Sequence, residues 1–262
     1  MLRSIKQLYG EKLRASDGEI GHVKDFYFDD QKWVVRYAVV DTGSWLSGRQ
    51  VLIAPHAFGN LDQDRSLLLV NLTRQQIEYS PPIESHKPVS RQYEVQYYRY
   101  YGWPSYWMGE GIWGMNTYPI IQRLPSTLPS EVAQWTPTPG IGYASGCATN
   151  TTERAGESDN ARNVNDPHLR STHAVTGYHL QTSEETIGHV TDFMMDDKSW
   201  AICHLVVETG TWFSGKEIVI SPSHVDRINY EDSKVFVNLT KEAIMQAPEF
   251  HVPTLGVTNP DA

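Results

Sequence analysis

The feature that most constrains the fold is an internal repeat with a period of 167 residues. Residues 2–81 align without a gap on residues 169–248. The identical stretches include Leu2-Arg3-Ser4 with Leu169-Arg170-Ser171, Ile20-Gly21-His22-Val23 with Ile187-Gly188-His189-Val190, Asp25-Phe26 with Asp192-Phe193, and Val70-Asn71-Leu72-Thr73 with Val237-Asn238-Leu239-Thr240. Self-similarity over such a length marks a duplicated folding unit, so the chain is predicted to fold as two copies of one domain.

Each copy has the pattern of short β-strands. In the first copy, apolar and β-branched runs at 20–28, 33–40, 50–54 and 67–72 are separated by Gly, Asp, Ser and Pro. Short strands with turns at roughly 8–12-residue intervals are typical of a small barrel or sandwich and not of βαβ units. Thr73, with a glutamine three residues later, predicts a capped short helix after the last strand. The sequence therefore predicts an all-β fold in which each copy is followed by a short helix.

The segment between the copies, residues 83–167, differs in composition. Its first part is aromatic: Ser90 is suited to cap a helix from Arg91 to about Tyr101, whose tyrosines have helical spacing, and a Gly/Pro-rich tryptophan cluster follows. From about residue 125 onward, Pro, Thr, Ser, Gly and Asn dominate, which predicts a disordered linker. We expect copy 1 at 1–82, the insert at 83–167, copy 2 at 168–252 and a tail at 253–262.

Charge and cysteine content limit the partners and the compartment. The net charge is −9, of which −7 lies in residues 168–262, so no general affinity for nucleic acid is expected. The two cysteines form no CxxC pair, the N-terminal residues lack the apolar core of a signal peptide, and no apolar stretch approaches the length of a membrane helix. These features indicate a cytoplasmic protein and leave homo-oligomer formation open.

Three stretches of each copy resemble the PRC-barrel family. In copy 1 they are Ser16–Phe26 (SDGEIGHVKDF), Val39–Gly43 (VVDTG) and Val51–Pro55 (VLIAP), and in copy 2 they are Ile187–Phe193, Val206–Gly210 and Val219–Pro222. The resemblance implies two small PRC-type β-barrels of six strands, with no catalytic residue and no cofactor of their own. Copy 1 is expected to pack on copy 2 with approximate twofold symmetry.

The resemblance also implies protein–protein docking, which the family shares between the cytoplasmic domain of the photosynthetic reaction centre H subunit and a ribosome maturation factor. It suggests a non-enzymatic scaffold, with an H-subunit-like role in photosynthetic electron-transfer complexes as one form. Two alternatives stay open: an RNA-associated factor of the ribosome-maturation type, or a metal-dependent module that uses paired His and Asp residues.

Two regions are candidate partner-binding surfaces. The first is a Gly/Ser loop that places a tryptophan beside an apolar residue and a cation, which is the composition of a binding hot spot. It occurs in both copies, with Trp45, Leu46 and Arg49 in one and Trp212, Phe213 and Lys216 in the other. The second is the aromatic insert, with Trp103, Trp107 and Trp113. Alternatively, the loop tryptophans fold back onto the barrels, and the insert packs on one or both barrels or lies on a membrane surface.

Other polar residues have both a structural and a functional interpretation. His22 and His189 either share a metal or are half-exposed strand residues. The carboxylates Asp25, Asp29, Asp30, Asp192, Asp196 and Asp197 suggest calcium but form no D-x-D-x-D-G loop, and turn chemistry explains their positions. Cys203 and His204 are adjacent in a predicted strand and so point to opposite faces, which argues against a catalytic pair. Gly21 and Gly188 are predicted to mark a bulge or a tight bend of the strand.

Overall fold

The computed structural model of the chain describes residues 1–59, 67–83, 89–120, 169–210 and 215–250. The segment predicted to be a polar linker, from about residue 125 to 167, and the predicted tail at 253–262 lie outside the described residues.

Copy 1 forms one mostly antiparallel sheet. Its elements are β1 (Leu2–Ser4), α1 (Ile5–Leu8), β2 (Lys12–Ala15), β3 (Gly18–Asp29), β4 (Val34–Asp41), β5 (Gln50–Ile53), β6 (Leu67–Leu69) and α2 (Arg74–Glu78). The order across the sheet is β5-β4-β3-β2-β6, and only β2 and β6 run parallel within this order. Residues 89–120 of the insert contain the helix α3 (Arg91–Tyr101).

Copy 2 repeats this arrangement. Its elements are β7 (Leu169–Ser171), α4 (Thr172–Val175), β8 (His179–Gln181), β9 (Thr186–Asp196), β10 (Ile202–Thr209), β11 (Glu217–Ile220), β12 (Val225–Asn229), β13 (Lys234–Val237) and α5 (Lys241–Met245). The order is β11-β10-β9-β8-β13-β12. A mostly β fold with a short helix after the last strand of each copy is therefore confirmed, and α2 has the capping box predicted at Thr73.

The two sheets are open where the resemblance implied closed barrels. Among the described strands, no ladder joins the first strand of either sheet to its last. Each of the long strands β3 and β9 also pairs with a short strand of the other copy, so each sheet gains one strand from the other copy. The expectation of two separately closed barrels is therefore wrong, because each sheet stays open.

The copies exchange their first strands. β1 of copy 1 pairs with β9 of copy 2, and β7 of copy 2 pairs with β3 of copy 1. Two further backbone hydrogen bonds join the copies. Val35 N donates to Trp200 O at 2.9 Å, and Ile202 N donates to Trp33 O at 2.7 Å. Because the exchange is reciprocal, the copies are related by an approximate twofold axis and share one hydrophobic core.

Aromatic rings at the centre of the molecule join the two halves of this core. Phe28 of copy 1 lies 5.7 Å from Phe193 of copy 2 between ring centroids. Trp200 of copy 2 lies 4.9 Å from Phe58 and 6.5 Å from Phe26 of copy 1. All five side chains are at most 3% exposed, so separating the copies would expose a large apolar area to water.

The bulge predicted as one alternative at Gly21 and Gly188 is confirmed, because the strand pairing shifts register beside each glycine. Gly21 has a φ of +139°, and a Cβ added there would lie 1.9 Å from the carbonyl oxygen of Asp41. The same addition at Gly188 would lie 2.1 Å from the carbonyl oxygen of Glu208. Glycine is required because the backbones of two paired strands approach closely at this point. Within the described residues, no helix is long and apolar enough to cross a lipid bilayer.

Candidate docking surfaces

The first candidate surface is built on α3, whose ends follow the sequence prediction. The Ser90 hydroxyl accepts a hydrogen bond from Tyr93 N at 3.2 Å, as an N-cap residue does. The helix ends where Gly102 adopts a left-handed conformation with a φ of +67°. Together these residues set the two ends of α3.

The tyrosines of α3 form that face and hydrogen-bond to the backbone of copy 1. The hydroxyl of Tyr97 donates to Leu52 O at 2.9 Å and accepts from Ala54 N at 3.1 Å. The Tyr100 hydroxyl donates to Gln76 O at 2.9 Å. Tyr97, Tyr98 and Tyr101 are at most 1% exposed, so the helix is an integral layer of the molecule.

A buried arginine attaches the rest of the insert to β4. Arg36 is the extra residue of a β-bulge, since Tyr27 pairs with Tyr37 and Phe28 pairs with Val35. Its guanidinium lies 2.9 Å from the Asp29 carboxylate and donates to the Ile112 carbonyl oxygen. It also stacks over the rings of Tyr106 and Trp113, at 3.8 and 4.9 Å from their centroids. These contacts stabilise a positive charge that is 1% exposed.

A buried carboxylate connects α3 to the same layer. Glu94 is fully buried and accepts hydrogen bonds from the hydroxyls of Tyr37 at 3.1 Å and Tyr106 at 2.6 Å. Its other oxygen lies 2.9 Å from the Arg91 guanidinium. Burial, and next the Glu94 charge, raise the pKa of both tyrosines well above its usual range, so both hydroxyls stay protonated and act as donors.

His56 lies at the centre of the aromatic layer. Its ring stacks on Trp103 with centroids 5.2 Å apart and meets Tyr98 and Trp113 edge to face. Burial, together with the nearby charge of Arg36, lowers the pKa of His56 to about 3. The imidazole is therefore neutral at physiological pH.

The predicted insert tryptophans have three different environments. Trp103 and Trp113 are 5% and 3% exposed, and Trp113 Nε1 donates to Ser199 O of copy 2 at 2.6 Å. Trp107 is partly buried, with the Arg91 guanidinium 4.6 Å from its ring centroid. The insert thus packs on copy 1 and reaches copy 2, in agreement with the packing alternative. A partner-binding role of these three residues stays a prediction.

The Gly/Ser loop of copy 1 folds back onto its own copy. The guanidinium of Arg74 lies 4.5 Å from the Trp45 ring centroid, and Leu46 packs against the core. Arg49 donates to Glu78 O at 3.0 Å and to Ser80 O at 2.8 Å.

In the corresponding loop of copy 2, Lys216 forms an ion pair with Glu249, and Trp212 and Phe213 lie outside the described residues. Partner binding by the six predicted loop residues stays a prediction.

Sequence reasoning did not separate the outward-facing side chains of the insert from the buried ones. Besides Val95 on α3, four apolar residues that follow the helix are strongly exposed: Met108 at 69%, Met115 at 85%, Tyr118 at 54% and Ile120 at 38%. We call these four the insert patch. The loop beneath is held by hydrogen bonds from Gly111 N to Gly114 O at 2.7 Å and from Trp113 N to Asn116 O at 3.0 Å. The sequence feature that could have indicated the exposed methionines is the glycine beside each of them, Gly109 after Met108 and Gly114 before Met115.

The aspartates considered as calcium ligands join the two copies or cap turns. Asp192 accepts from the Ser4 hydroxyl at 2.5 Å and from Lys6 N at 2.9 Å. Asp25 makes the equivalent bonds to Ser171 and to His173 N. Asp30 and Asp197 pair with Arg170 and Arg3 of the other copy. Asp29 and Asp196 accept from backbone N–H groups of their own turns.

Among the residues of the alternative interpretations, His189 and Cys203 have local partners. His189 Nε2 lies 3.6 Å from the Glu208 carboxylate, and burial raises the pKa of the Cys203 thiol. In the part of the chain that the structure describes, no three or more His, Cys, Asp or Glu side chains are grouped to hold a metal ion.

Comparison with known proteins identifies the repeated unit. The sequence model of the PRC-barrel domain matches residues 2–76 and again residues 175–244, which together make up more than half of the chain. No curated protein matches the sequence. The first match includes the exchanged strand β1, and the second begins after β7 and covers the rest of the copy 2 sheet. The chain therefore belongs to the PRC-barrel domain family.

Proposed function

We propose that the protein is a non-enzymatic scaffold that docks another protein through the insert patch. One observation carries the proposal: the aromatic side chains of Tyr97, Tyr98, Tyr101, Trp103, Tyr106 and Trp113 are buried, whereas Met108, Met115, Tyr118 and Ile120 are exposed. Exposed apolar groups on an ordered loop favour association, and methionine side chains adapt to the surface that they meet. A partner with an apolar groove fits this chemistry.

The polar layer beneath the patch supports the proposal. Arg36, His56 and Glu94 are each at most 1% exposed and fix the insert on copy 1. A loop that is already ordered loses less conformational entropy when it binds than a flexible one. The more specific roles suggested by the resemblance, in photosynthetic electron-transfer complexes or with RNA, and a metal-dependent activity stay predictions.

The test is affinity capture with purified full-length protein as bait. The bait is compared with a Met108→Glu/Met115→Glu variant and with Leu69→Glu, a matched control on β6 that is 46% exposed. We expect one protein to be captured in stoichiometric amounts by the wild type and the control and to be lost with the double variant. The purified partner must then bind the wild type directly.

Equal capture of that partner by all three baits would show that the insert patch takes no part. The proposal would then be wrong in its site, and a bait that captures no partner at all would argue against the scaffold function itself.

A further inference from the structure

The exposed face of the copy 2 sheet carries two histidines on neighbouring strands. His179 of β8 and His189 of β9 are directly paired in the antiparallel ladder. Directly paired residues point to the same face of a sheet, with Cβ atoms roughly 5 Å apart. His179 is exposed, and the side chain of His189 is 43% exposed. Both imidazoles are therefore next to each other and open to water.

Backbone hydrogen bonds show that this pair is of the closer type. His179 N donates to Ser233 O at 2.9 Å, which lies on the β13 side of β8 and away from β9. On β9, the neighbour of His189 bonds towards β8, because Val190 N donates to Tyr178 O at 2.9 Å. His179 and His189 thus form a non-hydrogen-bonded pair, in which the Cα atoms are roughly 4.5 Å apart and the side chains are closest.

A carboxylate follows the two imidazoles on the next strand. Glu208 of β10 pairs with His189, and its carboxylate lies 3.6 Å from His189 Nε2. Neither Nδ1 of His189 nor the ring of His179 forms a hydrogen bond with the described residues. A carboxylate at one ring nitrogen orients an imidazole and makes its other nitrogen a better metal ligand.

The charges at the two ends of this row also favour a cation. Lys234 of β13 pairs with His179, and Glu217 of β11 pairs with Glu208. The row therefore contains two carboxylates and one ammonium group, within a half of the chain whose net charge is −7. The negative charges outweigh the positive one, so the local field attracts a divalent cation.

We propose that His179 and His189 chelate one divalent transition-metal ion on the exposed face of copy 2, with Glu208 as a positioning residue for His189. Imidazole nitrogen is a preferred ligand of Zn²⁺, Cu²⁺ and Ni²⁺. Two protein ligands leave the remaining positions to water, so the site needs no group of three side chains. The inference does not depend on the proposed scaffold function.

Copy 1 contains the same row with one histidine replaced. Lys12 pairs with His22, and His22 pairs with Asp41, at the positions that correspond to His179, His189 and Glu208. A lysine ammonium is protonated at neutral pH and offers no lone pair to a metal. We therefore expect no chelate in copy 1. The pair considered from the sequence, His22 with His189, is a different one, because those residues lie in different sheets.

The test is calorimetric titration of Zn²⁺ into the full-length protein. We expect one saturable equivalent per chain. His179→Gln should weaken binding at least about tenfold, because a single imidazole loses the gain from chelation. His22→Gln removes the corresponding histidine of copy 1 and should leave the affinity unchanged. Because the ion joins β8 to β9, Zn²⁺ should raise the thermal unfolding midpoint of the wild type and not that of His179→Gln.

The reciprocal variant adds the missing ligand to copy 1. Lys12 is exposed, so Lys12→His should fold as the wild type does. It places a second imidazole beside His22 and removes a positive charge from the row. We expect Lys12→His to bind a second equivalent of Zn²⁺.

The role of Glu208 is tested by the metal affinity and by the ligand set. Glu208→Gln should weaken Zn²⁺ binding about tenfold, as loss of an orienting carboxylate does, and Glu208→Asp should retain most of the affinity. With Cu²⁺ as the probe, electron paramagnetic resonance should show two nitrogen ligands in the wild type and in Glu208→Gln. His179→Gln should lose this two-nitrogen spectrum.

Four results would overturn the inference. The first two are the absence of saturable Zn²⁺ binding by the wild type and binding that persists unchanged in His179→Gln. The third is an equal loss in His22→Gln, because the ion would then be shared between the copies. The fourth is a Lys12→His variant that binds no second equivalent. The capture experiment with the Met108→Glu/Met115→Glu variant tests a different surface, so its outcome is independent.

Discussion

Ionisable side chains in the layer between copy 1 and the insert determine how the insert lies. Arg36 is paired with Asp29, and Glu94 is paired with Arg91 and with two tyrosine hydroxyls. A buried charge without its partner costs several kcal/mol, so a shifted insert would lose these pairs and be strongly disfavoured. Apolar packing alone would tolerate many more arrangements.

His56 makes the stability of this layer dependent on pH. Its pKa is lowered to about 3 in the folded protein, while an unfolded chain binds the proton near pH 6.5. Between these values the unfolded state holds more protons, so the free energy of unfolding falls as the pH falls, by up to roughly 1.4 kcal/mol per pH unit from this group. Below about pH 3 both states are protonated, and the dependence from this residue ends.

The measurement is urea unfolding between pH 7 and pH 4. His56→Phe keeps a ring against Trp103 and removes the titrating group, so its free energy of unfolding should decline less steeply than that of the wild type. His22→Gln, at an exposed position, serves as the control and should follow the wild type. Identical slopes for His56→Phe and wild type would show that His56 does not carry the effect.

At the scale of elements, the Asp-Phe motif of each copy caps a helix of the other. Asp192 of β9 bonds to the Ser4 hydroxyl and to Lys6 N, at the beginning of α1. Asp25 of β3 does the same at α4. Each exchanged strand is thus anchored by its backbone ladder and by one carboxylate.

We predict that Asp192→Ala lowers the free energy of unfolding by roughly 2 kcal/mol, because charge-assisted bonds to a hydroxyl and an N–H are lost in a buried setting. Asp192→Asn keeps an acceptor oxygen and should lose less. Asp226→Ala removes a carboxylate that is 59% exposed and should change stability by less than about 0.5 kcal/mol. Chemical denaturation would refute the anchoring role if Asp192→Ala and Asp226→Ala were equally stable.

Local signals in the sequence predicted most elements well. The capping box at Thr73 and the N-cap at Ser90 give the beginnings of α2 and α3, and the close backbone approach at Gly21 follows from glycine in mid-strand. Such features depend on neighbouring residues and on backbone geometry, so they can be read without the rest of the fold.

The strand exchange could not be predicted in this way. Leu2-Arg3-Ser4 and Leu169-Arg170-Ser171 are identical, so either strand could pair with β3 or with β9. The sequence pattern therefore does not show whether each strand pairs within its own copy or with the other copy. The turn roles of Asp29 and Asp196 agree with the turn chemistry predicted for them. The bonds that Asp25, Asp30, Asp192 and Asp197 make to the other copy depend on the exchange and were missed with it. Arg36 did give a signal, as a charge in an otherwise apolar strand, but its partners are remote in sequence, at Ile112 and Tyr106.

At the scale of the whole molecule, the insert breaks the approximate twofold symmetry that the exchange creates. It covers copy 1 and reaches copy 2 through Trp113 and Ser199, whereas the residues of copy 2 that correspond to the covered ones are partly exposed, among them Cys203, His204 and Val219. The two copies therefore present chemically different surfaces although their strands repeat.

The exchange also predicts that the halves hold together without a covalent connection. Cleavage at a protease site engineered within residues 121–168 should leave two fragments that co-elute at micromolar concentration, because each keeps its first strand in the other's sheet. The buried rings of Phe28, Phe193 and Trp200 add apolar area that separation would expose. Combining Asp25→Ala with Asp192→Ala should lower the fragment affinity by at least about tenfold. Fragments that separate on a sizing column while each stays folded would contradict the exchange.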